Sequence, residues 1–408
     1  MQRNKKILLH ISLIDGVGPA GALKLIKYLF SERYPDMLDA DFIELIKHQN
    51  ELDLEQVYFY SVHDLIRRAG FTERIARQIV AGLADQTSLE AECALLEKHN
   101  IQLITIFDES YPEILQQIYL PPLVLYCKGA PLEHTAKRIS IVGARTATTY
   151  AQEVINQLVP ALVAQDWQIV SGGALGADAM AHAATLSCSG KTIAVLGSGL
   201  LKPYPDANIS LFKHISEWGG SVISAFPLNA PPEKGNFPAR NRIIAGLSHG
   251  CVVVQAGVKS GALITAQFAL ENGRQVFAVP GLIDHELSIG CHELIKQGAK
   301  LVASVNDILE EFNESVSHTT FTAARKDHVS PKDDLSLVQA TKAQGLTGQQ
   351  LGIEESDPIL RALTTASTLD DLIMRTGFDI VELQNRLFEL QLDGKVKQHF
   401  TGAWEKSS

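Results

Sequence analysis

The sequence predicts an α/β protein in which a doubly wound, mostly parallel sheet lies between two smaller helical parts. Three observations carry that prediction. From about Ile101 onward, short apolar, β-branched runs recur: "RISIVGAR", "WQIVSGGA", "KTIAVLGSG", "GSVISAF", "CVVVQAG", "RQVFAVPG" and "AKLVAS", each separated by a helix-length segment. Runs that are apolar throughout, rather than alternating, belong to strands covered on both faces, and helices between them make the sheet parallel and Rossmann-like. Ahead of Ile101 the apolar period is helical, and behind Asn313 it vanishes for some twenty polar residues before a second helical pattern begins.

Composition supports a globular chain of several domains. The 408 residues are 46% hydrophobic and 20% charged, enough apolar surface for a full core. No apolar run reaches the about 20 residues that a membrane-spanning helix needs. The start "MQRNKKILLHISLIDGVG" has a basic lead, but His10 and Asp15 interrupt its apolar run and no cleavage site follows, which argues against a secretory signal. Five cysteines, Cys93, Cys127, Cys188, Cys251 and Cys291, include no Cys-x-x-Cys pair, as expected of isolated thiols in a reducing cytoplasm. The net charge is −10, unevenly spread. Residues 134–300 hold 13 Lys and Arg against 10 Asp and Glu, about +3, so the remainder carries about −13 and the middle of the chain is where an anion is tolerated.

Taken in order, residues 1–90 read as a helical domain of the SAM or helix-hairpin-helix kind. "LIDGVGPAGALKLIKYLF" turns at Gly16-Val17-Gly18-Pro19, and "DLIRRAGFTERIARQIVAGL" repeats the idea at Gly70. Such hairpins present backbone N–H groups at a helix start, which suits a phosphate; a plain bundle used for protein contacts fits equally. Residues 91–313 form the extended Rossmann-like domain. Glu314 to Leu335 reads as a linker, being polar, rich in Ser and Thr and without period. Residues 336–408 then follow the order helix, Gly377 turn, helix, Asp-Gly hairpin of a winged helix. Its second helix, Ile380 to Leu392, offers Arg386 as its one cation beside Glu382 and Glu389, so protein contact competes with duplex reading.

The glycine loops do not spell a cofactor site. A dinucleotide fingerprint needs Gly-x-Gly-x-x-Gly with an acid about 20 residues on. "SGGALG" instead places glycines at 172, 173 and 176, and the next strand ends in "LGSG" with no acid at its tip. Asp178 and His182 share a helical face, yet no nucleophile accompanies them, so a capping Asp and a structurally bonded His are expected rather than a catalytic dyad. Asp206, Asp284, His285 and Glu286 form no metal-ligand spacing. Expected, therefore, are no catalytic residues, no cofactor and no metal.

The basic residues at predicted strand ends are more informative. Arg145 follows "IVGA", Arg240 and Arg242 flank Asn241 in "FPARNR", and Lys259 precedes the Ser260-Gly261 turn. In an open α/β sheet the ligand crevice lies at the carboxyl ends of the strands, so these loops converge on one rim that suits consecutive phosphates.

The segments carrying these residues resemble, in order, the DprA/Smf family of bacterial natural transformation. They are "DESYPEILQQIYLPPLVLYCKG" from Asp108, "IVGARTATTY" from Ile141, "SGGALGADAMAHAATL" from Ser171, "TIAVLGSGLLKPYPDANISL" from Thr192, "FPARNRIIAGLS" from Phe237, "SGALITAQFALENGRQVFAVPG" from Ser260 and "GCHELIKQGAKLV" from Gly290. The resemblance implies a non-enzymatic cytoplasmic protein that binds single-stranded DNA, forms a homodimer, works beside single-strand-binding protein and loads RecA recombinase. Carried over by motif, Arg145, Arg240, Asn241 and Arg242 line a DNA pocket, and Lys259, Ser260 and Gly261 close it beside Gly172 and Gly173. Phe237 either stacks on a base or packs beside Pro238. "ELIKQGAKLV" is the implied dimer segment. The sequence departs from the family pattern at Ala177, Ala225, Gln255 and His292, and two of these changes remove carboxylates near the proposed pocket. The competing enzyme class is a nucleoside-monophosphate glycosidase, whose Pro-Gly-Gly-x-Gly-Thr loop has no match in "VPGLIDHELSIG". A third reading, a regulator acting through the winged helix, requires sequence-specific duplex binding by the tail.

Overall fold

The computed structural model describes residues 2–33 and 53–313 and, in the tail, 357–363, 367, 369–376, 378, 383, 386–387, 390, 395–398 and 404–406. The chain forms two compact units, Met1–Glu314 and Ser315–Ser408. The expected linker, Glu314 to Leu335, lies outside the described residues.

The first unit opens with α1 (Arg3–Ser12) and α2 (Pro19–Arg33), then α3 (Val62–Arg67), α4 (Glu73–Ala84) and α5 (Thr87–Lys98). Helix α4 shows how sequence sets these elements. Thr72 caps its start by accepting from the Ile75 N–H at 3.5 Å, and Ala76, Ile79 and Leu83 fall on one buried face. The two hairpins cover each other's turns. The Gly16 turn lies against the Gln78 side chain of α4. At the Gly70 turn, Lys24 Nζ donates to the Gly70 carbonyl at 2.7 Å and sits 4.8 Å from the Phe71 ring centroid. Both turns are thus built into the packing between hairpins.

Nine strands form one sheet: β1 (Gln102–Thr105), β2 (Val124–Gly129), β3 (Arg138–Val142), β4 (Gln168–Ser171), β5 (Thr192–Val195), β6 (Ser221–Ser224), β7 (Gly250–Val253), β8 (Gln275–Ala278) and β9 (Lys300–Leu301). Their order is β1-β2-β6-β5-β4-β3-β7-β8-β9. The seven runs read from the sequence become β3 to β9, all parallel. The sheet gains an antiparallel pair at one edge, β1 on β2 and β2 on β6. Strands β3 to β7 are buried along their whole length, as continuous apolar runs require. After the short α6 (Glu113–Gln116) come the connecting helices: α7 (Thr149–Val163), α8 (Ala177–Ser187), α9 (Ile209–Glu217), α10 (Asn236–Gly246), α11 (Gly261–Glu271) and α12 (Ile289–Lys296). Strand order reverses at β3, with β4 on one side and β7 on the other, which places a crevice at the carboxyl ends of the strands. The front helices share a single hydrophobic cluster with the sheet, running from Ile7 to Leu294, so the sequence division at residues 90 and 91 falls inside this unit.

In the second unit, α13 (Pro358–Ala362) and α14 (Leu369–Thr376) precede an antiparallel pair, β10 (Val396–Gln398) and β11 (Trp404–Lys406). Ile359, Leu363, Leu372, Leu383, Leu387, Leu390, Val396 and Trp404 make its core. Of the expected second helix, Ile380 to Leu392, only Leu383, Arg386, Leu387 and Leu390 are described; Gly377, Glu382, Glu389 and the Asp393-Gly394 pair lie outside the described residues.

Candidate nucleic-acid interface

The rim is assembled from the loops that leave β3, β4 and β5. The β3 loop, Gly143 to Arg145, rests on the β4 loop at Gly176, where φ is +75° and a Cβ would collide with the carbonyls of Ala144 and Arg145. The Ala177 N–H donates to the Ala144 carbonyl at 3.1 Å and fixes the approach. With its backbone held this way, Arg145 is exposed and makes no hydrogen bond or ion pair among the described residues. Its guanidinium carbon lies 5.8 Å from the ring centroid of half-buried Phe237, a cation–π distance.

Helix α10 supplies Phe237 and, one turn on, Arg240. Arg240 is only 5% exposed. Its Nη1 donates to the Val195 carbonyl at 2.9 Å and to the Gly172 carbonyl, tying the ends of β4 and β5 together. A Cβ at Gly172 would collide with this guanidinium, which explains the glycine. Burial lowers the Arg240 pKa to about 10, opposed by Asp178 and reinforced by Arg145, so Arg240 keeps its charge at neutral pH. Asp178 is buried too, and burial raises its pKa against the pull of Arg240 and its backbone donors. Its Oδ2 accepts the N–H groups of Gly172 at 3.1 Å and Ala174 at 3.3 Å. The glycine loop has therefore already spent two of the donors that a phosphate-cradling loop keeps free.

Arg145, Gly172, Phe237 and Arg240 come together with Ala174, Leu175, Tyr204 and Pro205 around an open pocket of about 30 Å³. Sequence reasoning missed Leu175 and Tyr204. Tyr204 was legible only as an aromatic residue in the loop after a strand.

The other expected residues lie elsewhere. Gly173, at φ +63°, packs its backbone under the Phe212 ring, where a Cβ would clash. Arg242 is two residues from Arg240 and faces away from it; its Nη1 donates to the carbonyls of Tyr119 at 2.7 Å and Leu120. Asn241 Nδ2 donates to the Gly261 carbonyl at 3.3 Å, joining α10 to the start of α11. Ser260 caps α11, accepting from the Ala262 N–H at 3.3 Å. Lys259 is exposed beside that cap and is not a wall of the pocket. A single pocket lined by all ten residues is thus replaced by a smaller one holding four of them.

His182 does not meet Asp178. Its Nδ1 lies 2.7 Å from Thr192 Oγ1, and that hydroxyl donates to the Ile169 carbonyl at 2.7 Å. The hydroxyl's one proton being used, Nδ1 must be the donor and Nε2 carries a bare lone pair. Burial, with Arg240 nearby, lowers the His182 pKa to about 3, so the ring is neutral. Gln255, one of the departures from the family pattern, anchors the start of α7: its Oε1 accepts the Thr148 N–H at 3.0 Å and its Nε2 donates to Thr148 Oγ1 at 3.0 Å. Among the described residues no group of His, Cys, Asp and Glu is placed to hold a metal ion. No helix among them is long and apolar enough to cross a membrane.

Comparison with known proteins agrees with this architecture. A family model described as DNA recombination-mediator protein A matches residues 102–313. The chain is 44% identical to DNA processing protein DprA of Bacillus subtilis over 222 residues, 54% of this chain and 74% of that relative. It is 34% identical to Protein Smf of Synechocystis over 350 residues, 81% of this chain and 87% of the relative. Among solved structures it is similar to the X-ray structure of DNA processing protein A from Streptococcus pneumoniae, at 34% identity and TM-score 0.57, over 72% of this chain and 98% of that one. The resemblance read from the seven segments is borne out.

Proposed function

The chain belongs to the DNA recombination-mediator protein A family, and from that premise we propose that it binds single-stranded DNA across the β3, β4 and β5 loops. The observation that carries the reading is Arg145, an exposed cation without a hydrogen-bonding or ionic partner among the described residues, set over the half-buried face of Phe237. A cation beside an aromatic face is what one nucleotide needs, phosphate on the one and base on the other, without preference for sequence. Arg240 supports the site from beneath by holding the strand ends.

In this reading the protein is a non-enzymatic cytoplasmic mediator of natural transformation that protects incoming single strands beside single-strand-binding protein and passes them to RecA. It acts as a homodimer through Glu293 to Val302. Supporting that surface, Leu282, Ile283, Ile289 and Leu301 leave apolar side chains exposed around the β8 and β9 end of the sheet. The helical front serves as a SAM or helix-hairpin-helix-like domain, and the tail as a winged helix.

The test is anisotropy titration of the full chain with oligo-dT and with a duplex of equal length over a salt series. Expected are tighter binding of the single strand and an affinity that falls steeply as salt rises. Absent or equal binding of the single strand refutes the reading.

A further inference from the structure

The loop after β5 brings a second aromatic face to the rim. Tyr204 is 43% exposed, and its ring centroid lies 5.9 Å from that of Phe237 with the planes tilted by 58°. Rings this close leave no space for a base between them; Arg145 and Arg240 lie 5.8 and 6.0 Å from the centroid of half-buried Phe237, and Tyr204 is the more open ring of the two. The spacing is also held. The Gly199 N–H donates to the Ala230 carbonyl and the Leu201 N–H to the Leu228 carbonyl, both at 2.9 Å, so the segment leading to Tyr204 is laced to the one leading to Phe237. Glu92 of α5 pins that second segment, its Oε1 accepting the Leu228 N–H at 2.7 Å. Two residues before Tyr204, Lys202 is exposed and makes no side-chain hydrogen bond or ion pair among the described residues. Asp206, exposed two residues after Tyr204, repels phosphate on the other side.

We infer that Tyr204 is a second stacking platform, which takes the base next to the one on Phe237, and that Lys202 meets the phosphate beyond it. The inference rests on the single-stranded DNA reading above. It gives the strand a path, from Arg145 on the β3 loop over Phe237 to Tyr204 and Lys202 on the β5 loop, away from the Lys259 side of the rim. Because the two rings are held by backbone hydrogen bonds of separate loops, the platform exists before DNA arrives and little ordering is needed on binding.

The experiment uses the full chain with two strands of equal length, oligo-dT and an abasic strand with the same backbone. Tyr204→Ala is expected to weaken oligo-dT binding about tenfold, leave the abasic strand unchanged, and be rescued by Tyr204→Phe. Lys202→Ala is expected to weaken both strands alike and to lower the salt slope by about 0.7. Equal losses on both strands for Tyr204→Ala, or no loss on either, overturn the platform, provided a thermal melt matches the parent protein. If the parent chain itself fails to bind oligo-dT, the site reading falls and the platform with it; if the parent binds and Tyr204→Ala is silent, only the platform falls.

Discussion

Arg240 and Arg242 leave the same helix in opposite directions, Arg240 toward the carbonyls of Gly172 and Val195 under the rim and Arg242 toward those of Tyr119 and Leu120. A pair that reads in sequence as two cations for one ligand is, in the fold, one cation in the wall of the rim pocket and one clamp on the loop before β2.

Arg242→Ala is therefore expected to lower stability while leaving single-strand affinity within about twofold. Two carbonyls lose a charged donor, a loss of about 1–3 kcal/mol. Urea denaturation beside anisotropy separates the effects; a large affinity loss with unchanged stability contradicts the assignment. Arg240→Ala, by contrast, removes the tie between β4 and β5 and is expected to reduce both.

Arg145→Ala is expected to weaken oligo-dT binding with no change in melting temperature, since the side chain is exposed and holds nothing else in place. The salt slope falls by about 0.7, the share of one phosphate contact on a single strand. Arg145→Lys keeps the charge but loses the flat face over Phe237, so affinity is expected to return only in part. Full recovery with Lys would make the contact purely Coulombic.

The sequence revealed the sheet well because strands buried on both faces need largely apolar runs, as β3 to β7 have. The β1 and β2 pair was hidden because neither strand is apolar throughout: β1 opens on exposed Gln102 and β2 ends on exposed Lys128 and Gly129. At the site, Arg145 was legible from its place after a strand, and Phe237 through the family resemblance. Arg242 misled because sequence gives proximity along the chain but not direction around a helix, where a two-residue step turns a side chain to the far face. The glycine loop misled in another way. The resemblance places Gly172 and Gly173 in a DNA pocket, whereas in the fold Asp178 accepts the N–H groups of Gly172 and Ala174 and Gly173 packs under Phe212. Tyr204 was missed because an exposed tyrosine in a loop has no signature until its neighbour across the fold is known.

His182 sets a pH limit on stability. Its pKa lies near 3 in the folded chain against an ordinary value of 6.5, so between those values the unfolded chain binds the proton and the folded one does not. Stability is fully present above about pH 6.5 and is lost as pH falls toward 3, by on the order of a few kcal/mol at the acid end. His182→Gln cannot titrate and can still donate to Thr192. Denaturation at pH 7, 5.5 and 4 is expected to give this variant a shallower fall than the parent protein; parallel curves would show that His182 is not the group responsible.

In the tail, Arg386 is engaged with its own unit. Its Nε and Nη2 both reach Asp357 Oδ2 at 3.0 Å, and Asp357 also accepts the Ile359 N–H at 2.9 Å to cap α13. A cation held by a mostly buried carboxylate is a poor phosphate contact, because binding DNA would leave Asp357 without its partner. Arg386→Ala is therefore expected to loosen the tail rather than alter duplex affinity. Trp404, buried in the tail core, provides a local probe once Trp167 and Trp218 are replaced by Phe in both proteins compared. Its fluorescence in the full chain is expected to shift at lower urea in Arg386→Ala, while duplex titrations of the two proteins overlay. A selective loss of duplex binding with an unchanged Trp404 transition would instead assign Arg386 to DNA.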